Sequence, residues 1–240
     1  MQLIAMPGPF LSGWNFRVLQ EFFRLVPHNE WRDTLAQFLI SNALASTWIF
    51  AAVFYLYWGM EDQRTAVRRK QLAEIFICFC LAMVATLAWR PWVGWPAPSL
   101  VPRFRTFYPE YFWTEGNPNC FPSHSTLIYL IVAAGFWRLN RLISTALMLW
   151  VMIAISLPRI YLGGHYPIDV VAAILLAAIA MRAALYMCSR PRISELLTQV
   201  ISKKMLLELF LFLWLFELAE GFRSSYVIAT DLAHVARNIW

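Results

Sequence analysis

The sequence predicts an all-α, polytopic membrane bundle of about six transmembrane helices with an additional interfacial helix at the N-terminus. Three observations carry that expectation. The 240 residues are 60% hydrophobic and only 14% charged. The apolar residues are gathered into long runs, and many basic residues sit in short links between them. Ordinary soluble domains are nearer about 45–50% apolar and about 25% charged. A soluble chain of this size has too little interior for so much apolar surface, whereas lipid tails can take the place of a missing core.

From the N-terminus, Met1 to Leu11 has no basic residue ahead of its apolar stretch and contains Pro7, Gly8 and Pro9. This is unlike a cleaved signal peptide, so the first spanning helix is expected to act as the targeting signal. Residues Asn15 to Val26 then place Phe16, Leu19, Phe22, Phe23 and Val26 on one stripe among Arg17, Glu21 and Arg24. That pattern suits a helix lying in the interface or one packed on the bundle.

Six spans are expected at Leu39–Met60, Leu72–Trp89, Ser125–Trp137, Leu142–Leu157, Ile168–Cys188 and Met205–Leu218. The third, fourth and sixth runs fall short of the roughly 20 residues a bilayer requires. Polar residues lining a cavity could extend them. Glu208 and Glu217 interrupt the sixth. The links after the first, third and fifth spans hold Arg64, Arg68, Arg69, Lys70, Arg138, Arg141, Arg190, Arg192, Lys203 and Lys204. The positive-inside rule places these links in the cytoplasm and both termini outside. The same distribution argues against nucleic acid as the partner of a chain with net charge +6. With no internal repeat, residues 1–240 are expected to form one domain, with a motif-bearing core at about 72–188. Cys78, Cys80, Cys120 and Cys188 lack zinc-site spacing and are expected as free thiols.

The long second link, Arg90 to Pro122, has little periodicity, and loops of this length are commonly functional. It borders three polar segments that the predicted topology brings to the outward face. These are Arg90-Pro91, then Cys120 to Thr126, then Pro158 to Asp169. Their residue types fit phosphoryl transfer, which requires cationic and N–H donors around anionic oxygens. Arg90 and Arg159 offer permanently charged forks, and Ser123 a hydroxyl. The start of the third span offers a helix N-terminus. His165 and Asp169 are four apart, with Pro167 suited to the first helical turn. Asp169 could fix the imidazole tautomer and leave the other nitrogen free to attack phosphorus. His124 could protonate the departing oxygen. Against this stand plainer roles: a buried structural histidine, Asp169 as a helix cap, Ser123 as a helix start, and Arg159 as a headgroup anchor. Ionisable groups near a span are costly, which favours function.

These segments resemble the type 2 phosphatidic acid phosphatase family, of the superfamily that includes bacterial acid phosphatases and vanadium haloperoxidases. The family pattern is Lys-x6-Arg-Pro, then Pro-Ser-Gly-His, then Ser-Arg-x5-His-x3-Asp. The similarity covers about Trp89 to Ala180 and is strongest in the run Arg159-Ile-Tyr-Leu-Gly-Gly-His165-Tyr-Pro-Ile-Asp169. The resemblance implies a helical phosphatase without metal or other cofactor. In it His165 is the nucleophile, Asp169 its orienting partner, His124 the general acid, and Arg90, Ser123 and Arg159 the phosphate ligands. It also implies a multi-pass plasma (inner) membrane protein with an extracytoplasmic site, whose partners are membrane lipids and a lipid phosphate or diphosphate substrate.

The sequence departs from the pattern at three places. Pro158 replaces serine, Met83 stands where the first motif has lysine, and the second motif reads Pro-Ser-His-Ser. Arg103 or Arg105 could replace the missing charge. His124 either reaches through a shorter loop or occupies the glycine slot, a difference of about 100° on a helix. Because a diphosphate leaving group needs less protonation than an alkoxide, a weakened acid favours a substrate such as a polyprenyl diphosphate. The alternatives are a lipid phosphotransferase using an acceptor alcohol and a non-catalytic scaffold. Arg223, Asp231, His234 and Arg237 are expected to form a polar tail, with a substrate entrance as the alternative. The sequence carries no expectation of oligomeric state.

Overall fold

The computed structural model describes residues 8–89, 95–109, 120–202, 208 and 211–217, and among these the regular structure is helical throughout. Among the described residues the α-helices follow in the order α1 Gly8–Leu25, α2 Glu30–Ser41, α3 Ala43–Ser46, α4 Trp48–Gly59, α5 Thr65–Trp89, α6 His124–Gly135, α7 Arg141–Trp150, α8 Leu157–Tyr161, α9 Pro167–Cys188 and α10 Pro191–Ser202, and residues 211–217 are helical as well.

Local chemistry sets many of the boundaries. Asn29 caps α2 by accepting the Arg32 N–H at 2.8 Å, and Glu30 and Asp33 add acidic charge in the first turn. Asn140 does the same for α7 through the Ile143 N–H. A π-helical segment, Val151–Ser156, joins α7 to α8, so Arg141–Tyr161 runs as one continuous helix. Pro167 opens α9, where its fixed φ suits the first turn and its missing N–H would have had no partner.

The centre of the bundle is α6. Every residue from Thr126 to Ala133 is buried, because α4, α5, α7 and α9 all pack around this helix. At its far end Gly135 lies against Ile75 so closely that a Cβ there would fall 2.3 Å from Ile75 Cγ1. A second apolar layer closes the end of the bundle where α6 and α9 begin. It joins Leu19 of α1, Trp95, Phe104 and Tyr108 of the loop after α5, Cys120, Ile160, Tyr166 and Val170. Here α1 packs directly on the protein: Leu19 and Asn15 are buried, and Asn15 Oδ1 accepts the Ile168 N–H at 3.3 Å. Arg17, Glu21 and Arg24 face outward.

Among the described residues two continuous helices, Arg141–Tyr161 and Pro167–Cys188, have the length and apolar character to cross a membrane, and Trp48–Gly59 is apolar but shorter. The first expected span is not one helix, because its sequence is divided at Asn42 and Thr47 into the end of α2, then α3, then α4. Large apolar side chains such as Leu142, Ile153, Leu175, Ile179 and Phe212 project from the outer surface. The end opposite the second apolar layer is polar: Arg138 pairs with Glu74 at 2.6 Å, Arg68 with Asp62 at 2.9 Å, and Lys70 donates to Ser194 at 2.6 Å.

Candidate active site

The C-terminal end of α8 and the N-terminal ends of α6 and α9 converge beneath the second apolar layer. The third motif is folded by its own backbone. The carbonyl of Arg159 accepts the N–H groups of Gly164 at 2.8 Å and His165 at 3.2 Å, drawing the histidine back over the end of α8. Gly163 has φ +74°, a left-handed conformation that glycine adopts without strain. The Ser99 N–H donates to the Gly163 carbonyl at 3.2 Å, so the loop after α5 braces this turn.

Asp169 is fully buried and its carboxylate is heavily ordered. Oδ1 accepts the Trp95 indole N–H at 3.2 Å. Oδ2 accepts the Tyr166 backbone N–H at 2.8 Å and the Cys120 thiol at 3.2 Å. His165 Nδ1 lies 3.5 Å from Oδ2, with the side chain 15% exposed. Nδ1 is itself buried and makes no hydrogen bond at that separation. The carboxylate lies just beyond hydrogen-bond reach of that ring nitrogen, a separation that catalytic pairs often show before substrate binds. Burial pushes the phenols of Tyr108 and Tyr166 above their ordinary range, so both stay neutral next to Asp169.

The second motif meets the third through its backbone, the Ser123 N–H donating to the Asp169 carbonyl at 3.3 Å. Ser123 does not cap α6 with its side chain. Its buried hydroxyl instead joins Thr126 Oγ1 at 2.9 Å, and Thr126 joins Ser156 Oγ at 2.9 Å. Arg159 donates to Ile155 O at 2.9 Å. His124, the first residue of α6, has Nε2 2.8 Å from Met83 Sδ.

Arg105 donates to the carbonyls of Ser99 and Leu100, within the loop that braces Gly163, whereas Arg103 stacks over Phe16 of α1. Arg90 lies outside the described residues, as do Arg223, Asp231, His234 and Arg237. Among the described residues, the donor atoms of Cys120, His165 and Asp169 lie within 4.8 Å of one another, a grouping that could hold a metal ion. None of the four cysteines forms a disulfide.

The PAP2 superfamily model matches residues 71–193, just over half of the 240 residues. The chain belongs to the PAP2 superfamily. One relative is 28% identical over 158 residues, covering 64% of this chain and 72% of its own length; it is the Escherichia coli (strain K12) protein named "Putative undecaprenyl-diphosphatase YbjG". No solved structure matches significantly. Membership supports a phosphatase acting on a phosphoric ester or diphosphate, with a lipid phosphate as substrate. Met83, seven residues before Arg90 in the sequence, lies with its sulfur against the His124 ring.

Two partners of Asp169 escaped the sequence reading. Trp95 lies in an aperiodic loop, and nothing in its spacing links it to a residue 74 positions away. Cys120 was readable only as a thiol, although its place three residues before Ser123 in the second polar segment was a usable signal. Elsewhere, the Tyr161 hydroxyl donates to Asp33 at 2.7 Å, tying α8 to α2, and His28 of the link before α2 lies 2.8 Å from the same carboxylate oxygen.

Proposed function

We propose that this protein is a multi-pass inner-membrane phosphatase that hydrolyses a polyprenyl diphosphate at the extracytoplasmic face. The approach of His165 Nδ1 to the fully ordered carboxylate of Asp169 carries the proposal. That pairing holds the ring proton on Nδ1 and leaves Nε2 with a lone pair. Nε2 attacks the terminal phosphorus as the bond to the bridging oxygen breaks, and the polyprenyl monophosphate departs. Water then cleaves the N–P bond, releasing inorganic phosphate and restoring the imidazole. Arg159, Ser123 and Arg90 hold the phosphoryl oxygens, with Arg105 as a further cation.

Membrane placement rests on the outward-facing apolar side chains and the two span-length helices. Orientation rests on charge. Arg64, Arg68, Arg69, Lys70, Arg138, Arg141, Arg190 and Arg192 gather at the end of the bundle away from His165, as the positive-inside rule requires of a cytoplasmic face. Diphosphate as substrate is favoured by the name of the Escherichia coli relative. It is also favoured by the placement of His124 on Met83, because a monophosphate leaving group depends less on an acid.

The test is phosphate release by purified protein from farnesyl and longer prenyl diphosphates, beside His165→Ala. Brief incubation with terminally radiolabelled substrate should leave acid-labile, alkali-stable label on the intact protein and none on the variant. Release that persists in His165→Ala would remove His165 as nucleophile. Release only upon addition of an acceptor alcohol would make the enzyme a phosphotransferase.

A further inference from the structure

We propose that Thr126 and Ser156 are positioning residues that hold the Ser123 hydroxyl as a hydrogen-bond donor to the phosphoryl group. The proposal rests on the phosphatase function above, in which Ser123 holds a phosphoryl oxygen. Both residues lie outside the three motif patterns: Thr126 in the first turn of α6, Ser156 at the end of the π-helical segment. Two departures from ordinary helix chemistry bring the hydroxyls together. Ser123 is the N-cap of α6, yet its side chain makes no capping bond, the contact that normally steadies a helix start. Thr34, Thr86 and Thr145 turn their hydroxyls onto the carbonyl four residues back in their own helices, at 2.7, 2.7 and 2.9 Å. Thr126 reaches out of its helix turn instead, 2.9 Å to Ser123 Oγ and 2.9 Å to Ser156 Oγ. All three residues are fully buried.

The count of protons gives the chain its direction. Each hydroxyl has one proton to donate and two lone pairs to accept with. The three hydroxyls share two hydrogen bonds, so one proton is left over. Left on Ser156 or Thr126, it would face the packed bundle, where neither hydroxyl meets a further acceptor among the described residues. An unused buried donor is costly there. Left on Ser123, it points away from Thr126 at the candidate phosphate site, where an anionic oxygen accepts it. A bound phosphoryl group therefore selects one order: Ser156 donates to Thr126, Thr126 to Ser123, and Ser123 to the ligand. Each link polarises the next. Without Thr126 the Ser123 hydroxyl turns about its bond, and the ligand must order it on binding. Ser156 also lies three residues before Arg159 on the same continuous helix, so the chain ties Ser123 to the element that carries another phosphate ligand.

The experiment is a double-mutant cycle on farnesyl diphosphate hydrolysis by the purified chain. Thr126→Val removes the hydroxyl and keeps the shape. It should lower kcat about fivefold, the scale of one hydrogen bond, and Thr126→Ser should restore it to within about twofold. In the Ser123→Ala background Thr126→Val should have no further effect, because a residue acting only through Ser123 has nothing left to position. An equal loss in both backgrounds identifies a packing role and overturns the proposal, as does a Thr126→Ser no better than Thr126→Val. Ser156→Ala repeats the cycle if Thr126→Val fails to fold, with a loss of about two- to threefold expected from the weakened polarisation. Binding of inorganic phosphate, followed by calorimetry, provides a readout independent of turnover. Affinity weakened by Thr126→Val, rescued by Thr126→Ser and indifferent to Thr126→Val once Ser123 is alanine supports the chain even if no diphosphate is hydrolysed. That outcome would sink the phosphatase function alone. A protein that neither turns over the diphosphate nor changes its phosphate affinity in Thr126→Val overturns both.

Discussion

The backbone N–H of Ser123 donates to the carbonyl of Asp169, pinning the start of α6 to the first turn of α9. Two motifs separated by more than forty residues thereby become one rigid unit. Alanine at position 123 keeps this main-chain bond and loses only the hydroxyl, while Thr126 retains Ser156. Ser123→Ala should lower kcat by about 10- to 100-fold and cost no more than about 1–2 kcal/mol of stability. Phosphate release measured beside a melting curve checks both, and unaltered turnover would take the hydroxyl out of the reaction.

The carboxylate of Asp169 accepts from three ordered donors, Trp95, the Tyr166 N–H and Cys120, with His165 Nδ1 3.5 Å away, and these neighbours should matter unequally. Asp169→Asn cannot accept the ring N–H in the same way and should reduce kcat by roughly 10²- to 10⁴-fold. Trp95→Phe removes one donor to Oδ1 and leaves Oδ2 in place, which should cost about 1 kcal/mol, or roughly fivefold in kcat with little change in KM. If Trp95→Phe raised KM alone, the indole would be contacting substrate and not orienting Asp169.

The two glycines of the third motif should respond differently to alanine. At Gly163 a Cβ would lie 3.0 Å from Ser99 Cβ and 3.1 Å from Tyr108 Cδ1, on a backbone with φ +74°. Gly163→Ala should lose about 1–3 kcal/mol and most activity, because the turn carries His165. At Gly164 the nearest atom is Arg159 O at 3.4 Å, so Gly164→Ala should be much milder. Thermal midpoints of the pair provide the measurement, and equal effects would contradict the role given to the left-handed turn.

His124 against Met83 predicts a substrate preference. With Nε2 directed at the sulfur, the ring is poorly placed to protonate an alkoxide. Farnesyl diphosphate should therefore exceed phosphatidate in kcat/KM by at least about 100-fold, the scale of lost general-acid assistance. Met83→Leu, which removes the sulfur, should narrow the difference by raising monophosphate turnover. Comparable rates on both substrates in the native protein would refute this account of His124.

The sequence made α5 and α9 legible because their apolar runs are long enough to need no tertiary information, and the motif spacing brought His165, Asp169 and Ser123 to one place. It was less informative where polar side chains interrupt a run. Asn42 and Thr47 break the first expected span into short helices, a division that apolarity averages conceal. The stripe on α1 could not distinguish a lipid surface from a protein one, and Leu19 and Asn15 meet protein. Least visible was the loop that supplies Trp95 and Tyr108. Its contacts depend on aromatic shape and carry no period.

The π-helical segment has a consequence for how Arg159 is aimed. An α-helix advances each residue by about 100° around its axis, and a π turn holds an extra residue. The helix from Arg141 to Tyr161 is therefore out of phase with itself across Val151–Ser156. Buried residues before the segment, such as Leu147, set one orientation on the bundle. Arg159 inherits another, and its guanidinium meets Ile155 O within the shifted turn. Deleting one residue between Val151 and Ser156 would restore uniform winding and rotate everything downstream, Arg159 included, without altering any residue in a motif. The chain thus keeps a phase offset in mid-helix that sets the direction of Arg159 independently of the face Leu147 buries.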